Sequence, residues 1–127
     1  MGLILSEFEG ACYSSSEYLL CGIPVVSTFS FGGRDIWYNS YNSIICNPTP
    51  EAVSDAVKKL SSYNRDPHRI RQMHINLAKT FRANFINMLR QILVITKDKS
   101  LAEEIFINNY KHKLLTSETP NFEIIFN

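Results

Sequence analysis

The sequence carries no surplus of charge of either sign. Thirteen basic residues stand against twelve acidic ones, a formal charge of +1 over 127 residues. So balanced a chain has no electrostatic footprint for nucleic acid or for an anionic membrane, and neither is an expected partner. Cysteine is scarce. Cys12, Cys21 and Cys46 cannot all pair within the chain, and none has metal-ligand spacing with another Cys or His. They read as free thiols in a reducing cytosol, with no metal site. Long apolar runs are missing too. The longest, Ile92 to Ile95, falls far short of the roughly 20 residues of a membrane-spanning helix, so no transmembrane segment is expected. The opening MGLILSEFEG lacks a basic stretch and reaches acids by Glu7, which is not the pattern of a secretory signal. Repeats, low-complexity tracts and a G-x-G-x-x-G fingerprint are absent. The expected location is the cytoplasm, with attachment to the inner face of a membrane as an alternative.

Apolar residues make up 45% of the chain, which is the globular range rather than the disordered one. A chain of this length buries roughly two-thirds of its unfolded surface, so a core can form. Leu3-Ile4-Leu5 reads as a buried strand and Ser6 to Gly10 as a loop. Ser14 to Cys21 reads as a helix stopped by Gly22, and Ile23 to Thr28 as a second strand. Gly32-Gly33 marks a turn, Asp35 to Tyr38 a single helical turn, and Ser43 to Cys46 a third strand. Thr49-Pro50-Glu51 is a helix start, followed by a stripe of Ala52, Val53, Ala56, Val57 and Leu60. Asp66-Pro67 opens another helix whose apolar period runs to about Val94, and Leu101 to Leu115 reads as a further one. Strands alternating with helices require crossover connections and a parallel sheet. The expected fold is therefore α/β: a partial parallel sheet over residues 1–63, then a helical extension over 64–127. Three strands are few for an independent doubly wound sheet, and the expectation is that the first half of such a domain lies upstream.

Ligands of open α/β sheets bind beyond the carboxyl ends of the strands. Glu9 follows the first strand, and Gly10 and Ala11 lead from it to a helix N-terminus, where free N–H groups favour an anion. Glu17 stands further along that helix, with seven residues between the two acids. Carboxylates accept well from vicinal sugar hydroxyls, and a phosphate would suit the helix end. The ordinary reading of two such glutamates taken alone is solvated surface charge. Arg34 could reach a phosphate or an acceptor, with an exposed loop arginine as the plainer account. Asp35 reads as the cap of its turn, and one of Ser14-Ser15-Ser16 as the cap of the helix. Trp37 could stack on a sugar or fill the core. His68 and His74 are six positions apart, not on one helix face, so they are not expected to pair on a metal; with Arg65, Arg69 and Arg71 they read as a solvated helix face in a chain of near-neutral charge.

The whole string SEFEGACYSSSEYLLCGIPVVSTFSFGGRD resembles the donor-binding motif of retaining GT-B glycosyltransferases. Its parts are Glu9-Gly10, Glu17-Tyr18-Leu19-Leu20-Cys21-Gly22, Ile23-Pro24-Val25-Val26 and Gly32-Gly33, with NSIICNPTPEAVSDAVKKL resembling the next strand and helix. The likeness covers about residues 3 to 60. It implies a three-layer Rossmann-like fold, the later half of a donor domain, followed by long helices. It implies that Glu9 contacts hydroxyls of the donor sugar, with Gly10, Ala11 and Cys12 approaching the pyrophosphate by their backbone, and that Glu17 binds the ribose. The family often has Gly-Phe-Gly where Gly10-Ala11-Cys12 stands, and Ala where Tyr18 stands. The implied function is transfer of a sugar from a nucleotide sugar to an acceptor with retention of configuration. The donor is a substrate, and no cofactor or metal is implied. The family's phosphate-binding Arg and Lys and its acceptor domain have no counterpart here. A missing N-terminal domain or a partner subunit would supply them, and the chain alone is expected to be inactive. The alternative is a non-catalytic module that binds a nucleotide sugar or docks on a subunit. A homodimer through the sheet edge at Leu3 to Leu5 would be one form of it.

Overall fold

The computed structural model describes residues 1–92 and 99–109. It is a mixed α/β structure. Strands β1 (Gly2–Ile4), β3 (Val25–Thr28) and β5 (Ser43–Cys46) form a parallel sheet in the order β1-β3-β5. A second, two-stranded parallel ribbon joins β2 (Phe8–Glu9) to β4 (Phe31–Gly32). Helices α1 (Tyr13–Leu20), α2 (Pro50–Ser61), α3 (Pro67–Ile92) and α4 (Lys99–Asn109) complete the described elements, with a 3-10 turn at Arg34–Trp37.

β3 is buried along its whole length, as a central parallel strand must be. Alternation along it sends Val25 and Val26 to opposite faces. Val25 meets Ile4, Leu19 and Ile70, the last from α3. Val26 meets Ala56 and Leu60 of α2, with Val53, Val57 and Ile44 around them. The stripe expected on α2 is therefore its buried face. Its start is as expected: Thr49 Oγ1 accepts from Ala52 N at 3.2 Å, Pro50 takes the first helical position, and Glu51 lies in the first turn.

α1 ends as the sequence indicates. Gly22 adopts φ +73°, and the amides of Gly22 and Ile23 close back onto Leu19 and Tyr18, satisfying carbonyls that the helix leaves open. The Tyr18 ring lies over Gly2, where any Cβ would collide with it. A bulky ring on α1 is thus accommodated by a strand residue without a side chain.

Three expectations change. Residues 6–10 are not all loop, because Phe8–Glu9 pairs with Phe31–Gly32. The pairing keeps the 23-residue offset that β1 and β3 already have, also seen in Ser27 Oγ to Ile4 O and Ser30 Oγ to Glu7 O. The ribbon continues a register and needs no pattern of its own. None of Ser14 to Ser16 caps α1, because the helix begins at Tyr13 and Cys12 occupies the cap position. His74 does not belong to a solvated face: it is buried, with its ring 4.9 Å from that of Trp37. The arginines beside it are also engaged. Arg65 and Arg69 lie over the Tyr41 ring, and Arg71 donates to the Leu20 carbonyl.

Contacts divide the chain into residues 1–80 and 81–127. The expected boundary after residue 63 falls at the turn between α2 and α3, while Ile70 at the start of α3 packs with the sheet. Within the second unit, Phe85 meets Phe106 at 5.9 Å between ring centroids, Arg82 lies over Phe106, and Arg90 pairs with Glu103 at 3.5 Å. The expected helical residues 93–94 and 110–115, and the tail 116–127, lie outside the described residues. No described helix is long and apolar enough to cross a membrane.

Candidate functional site

The carboxyl ends of β1 and β3 continue into the β2–β4 ribbon, and the site is built on it. Gly32 has φ +132°, and a Cβ there would run into the Glu9 carbonyl. Only glycine lets the two chains approach so closely. The Gly33 amide then donates to Glu9 O at 3.3 Å, so the turn holds the backbone of Glu9 directly.

Across the ribbon Phe8 faces Phe31 and Glu9 faces Gly32, so the phenyl rings and the carboxylate leave opposite faces. Phe31 stacks on Phe8 at 5.5 Å and meets Phe29 edge-on at 5.3 Å, while each ring stays more than half exposed. The Glu9 side chain is half-buried, and its Oε2 accepts from Ser6 Oγ at 2.7 Å.

Gly10 and Ala11 are exposed, and no atom stands within 4 Å of where a Gly10 Cβ would be. The Ala11 carbonyl accepts from Trp37 Nε1 at 3.1 Å. Trp37 is half-buried and packs against the core cluster of the α1 face, so the core-filling reading describes its contacts. Cys12 has φ +44°, in the left-handed region that non-glycine residues enter at a cost of about 1–2 kcal/mol. The chain thus holds a strained cysteine in a conformation suited to glycine. No side chain caps α1 after it, and no acid lies in the first turn. The Ser15 amide turns back onto the Cys12 carbonyl at 3.0 Å, and the amides of Tyr13 and Ser14 before it receive no side-chain cap and no negative partner from the first turn.

Beneath this start the packing is polar. Ser15 and Ser27 are fully buried, and Ser15 Oγ lies 2.5 Å from Tyr38 Oη. Burial pushes the Tyr38 hydroxyl up, opposed by its bonds to Ser15 and Ser27 and by the charge of Arg34. Tyr38 thus ties α1 to the turn after β4. Glu17 is exposed on α1, in its second turn. The structure gathers Glu9, Gly10, Ala11 and Cys12 on one continuous path into α1. It leaves Glu17 on the solvent side of the helix with no hydrogen-bonded partner for its side chain among the described residues.

Arg34 corrects an expectation. It is fully buried, not an exposed loop arginine, and its guanidinium serves Thr28 O at 2.7 Å, Ser6 O at 3.0 Å and Ser6 Oγ at 2.8 Å. Those bonds use three of its five N–H groups; Nε makes no hydrogen bond among the described residues, and the whole side chain is out of contact with solvent. Asp35 does not cap its turn either. Its Oδ2 accepts from Ser30 N at 3.4 Å, and its Oδ1 stands 3.6 Å from Arg34 Nε. Ser6 was missing from the sequence-derived site. A serine three residues before the acid was the available sign of it.

Elsewhere, a hollow of about 290 Å³ is lined by Tyr38, Asn39, Ser40, Ser43 and Ile45. It lies at the amino end of β5, the end of a parallel sheet where ligands rarely bind. Among the described residues no three His, Cys, Asp or Glu side chains gather as a metal site, and all three cysteines are free. No family model, curated protein or solved structure matches the chain.

Proposed function

We propose that the chain is the later half of the donor-binding domain of a retaining GT-B glycosyltransferase, in a three-layer Rossmann-like arrangement, and that it binds a nucleotide sugar. One observation carries the reading. The uncapped start of α1, with Glu9 beside it, opens beyond the carboxyl ends of parallel strands. Such a helix end binds phosphate through free amides and its dipole. An adjacent carboxylate accepts sugar hydroxyls. Glu9 takes the sugar, the backbone of Gly10 to Cys12 the diphosphate, and Glu17 the ribose. Neither acid acts as a general acid or base. The leaving diphosphate is stabilised by oriented donors, and transfer needs an acceptor surface from a further domain or subunit. Arg34 has no place among the direct contacts.

A docking module is the second reading, and the face of β1 favours it. Leu3 and Leu5 are about half exposed, and β1 pairs only with β3 among the described residues. Calorimetric titration with UDP-, GDP- and ADP-sugars, on wild type and Glu17→Ala, separates the two. Binding of one nucleotide class that weakens about tenfold or more in Glu17→Ala supports the donor reading, a loss of about 1.4 kcal/mol. No binding of any of them by a folded chain overturns it.

A further inference from the structure

The bonds around Arg34 have a direction. A guanidinium can only donate. Ser6 Oγ, 2.8 Å from Arg34 Nη1, is therefore an acceptor in that contact. Its single proton is left for a second partner, and Glu9 Oε2 stands 2.7 Å away. A carboxylate can only accept, so the order Arg34 to Ser6 to Glu9 is the only one in which both contacts of the Ser6 hydroxyl are hydrogen bonds. Arg34 cannot swing away to reverse it. It is fully buried and also bonded to the Thr28 and Ser6 carbonyls at the ends of β3 and β1. The other oxygen of Glu9, Oε1, makes no hydrogen bond among the described residues.

We propose that Ser6, oriented by the buried Arg34, is a positioning residue for Glu9: it fixes one carboxylate oxygen so that the other is held ready for a hydroxyl of the donor sugar. The inference rests on the reading of Glu9 as the sugar contact. It assigns Arg34 a part in recognition without contact to the ligand. It also separates two energies within one site. The diphosphate and ribose are held by α1, and the sugar by the Arg34-Ser6-Glu9 chain. Losing the chain costs discrimination between a nucleotide sugar and the bare nucleoside diphosphate.

Ser6→Ala is the variant to make, because it removes the hydroxyl and leaves both carbonyl bonds of Arg34 in place. Ser6→Thr restores the hydroxyl. The probes are UDP-glucose with UDP, GDP-mannose with GDP, and ADP-glucose with ADP, titrated by calorimetry. The expected result is about tenfold weaker binding of the nucleotide sugar in Ser6→Ala, with less than about twofold change for the diphosphate and recovery in Ser6→Thr. Equal losses for both ligands, or no loss for the sugar, overturn the proposal. If wild type binds neither ligand, the donor reading fails on its own, and the positioning role is decided without ligand. NMR couplings of the Glu9 side chain then report one rotamer in wild type and Ser6→Thr, and averaging in Ser6→Ala. A Glu9 side chain that keeps one rotamer in Ser6→Ala, in a protein whose amide spectrum shows it folded, overturns the role as well.

Discussion

Helix α1 follows a strand of the two-stranded ribbon and α2 a strand of the three-stranded sheet, and the two helices begin in opposite ways. α2 starts with its donors answered: Thr49 caps it, Pro50 removes one donor, and Glu51 meets the dipole. α1 starts at a left-handed Cys12, with no side-chain cap and no acid in its first turn. Their undersides differ as well. α2 rests on Val26 through Ala56 and Leu60, whereas α1 meets Tyr38 through its buried Ser15, with Ser27 bonded to the same hydroxyl. One helix is finished as structure. The other starts uncapped at a strained residue beyond the carboxyl ends of β1 and β3, at some expense in stability. Strain and unmet donors of this kind concentrate at functional sites.

The comparison can be broken in four places. Leu60→Ala empties the core under α2 and should cost about 2–5 kcal/mol in denaturant unfolding, while the folded fraction keeps its affinity for ligand. A comparable loss of affinity would mean that the two faces are not separable. Gly32→Ala puts a Cβ against the Glu9 carbonyl and should cost about 2 kcal/mol. Hydrogen exchange should locate that damage in Phe31 and Gly33, whose amides bond to Glu7 and Glu9. Next come the helix starts themselves. Thr49→Ala should destabilise by about 1 kcal/mol, whereas Cys12→Gly should stabilise by about 1 kcal/mol by relieving φ +44°. Thermal melts of the pair give opposite signs if the contrast is real.

The smallest effect concerns His74. Burial pushes its pKa below the usual 6.5. As pH falls the unfolded chain takes up the proton first. The stability contributed by keeping His74 neutral is full above about pH 6.5 and is lost as pH falls through 6.5 towards the lower folded value. Urea midpoints between pH 7.5 and 5 should therefore fall, and His74→Phe should flatten that part of the slope.

What the sequence made legible was local. The α2 cap and stripe, the Gly22 stop and the strand at Ser43–Cys46 each depend on a few adjacent residues, and each is found as expected. What it concealed depends on distant partners. Three serines suggested a cap for α1, but the Ser15 hydroxyl is drawn to Tyr38, 23 residues away. The β2–β4 ribbon follows from an offset inherited from β1 and β3, which two-residue strands cannot advertise. Arg34 is buried because carbonyls of Ser6 and Thr28 converge on it from two strand ends. His74 could have been found, since it lies four residues after Ile70 on the same helical stripe. At the site, the path from Glu9 to Cys12 was legible as a motif. Its support by Ser6 and Arg34 was not.

The central claim is that α1, and not α2, opens onto a ligand. Amide chemical shifts recorded while UDP, GDP or ADP is added to the labelled chain test it most directly. The account predicts shifts concentrated at Gly10 to Ser15 and Gly33, with the amides of Ala52 and Val53 at the start of α2 unmoved. Shifts at α2, or none at Gly10 to Ser15 at concentrations where calorimetry detects binding, would contradict it.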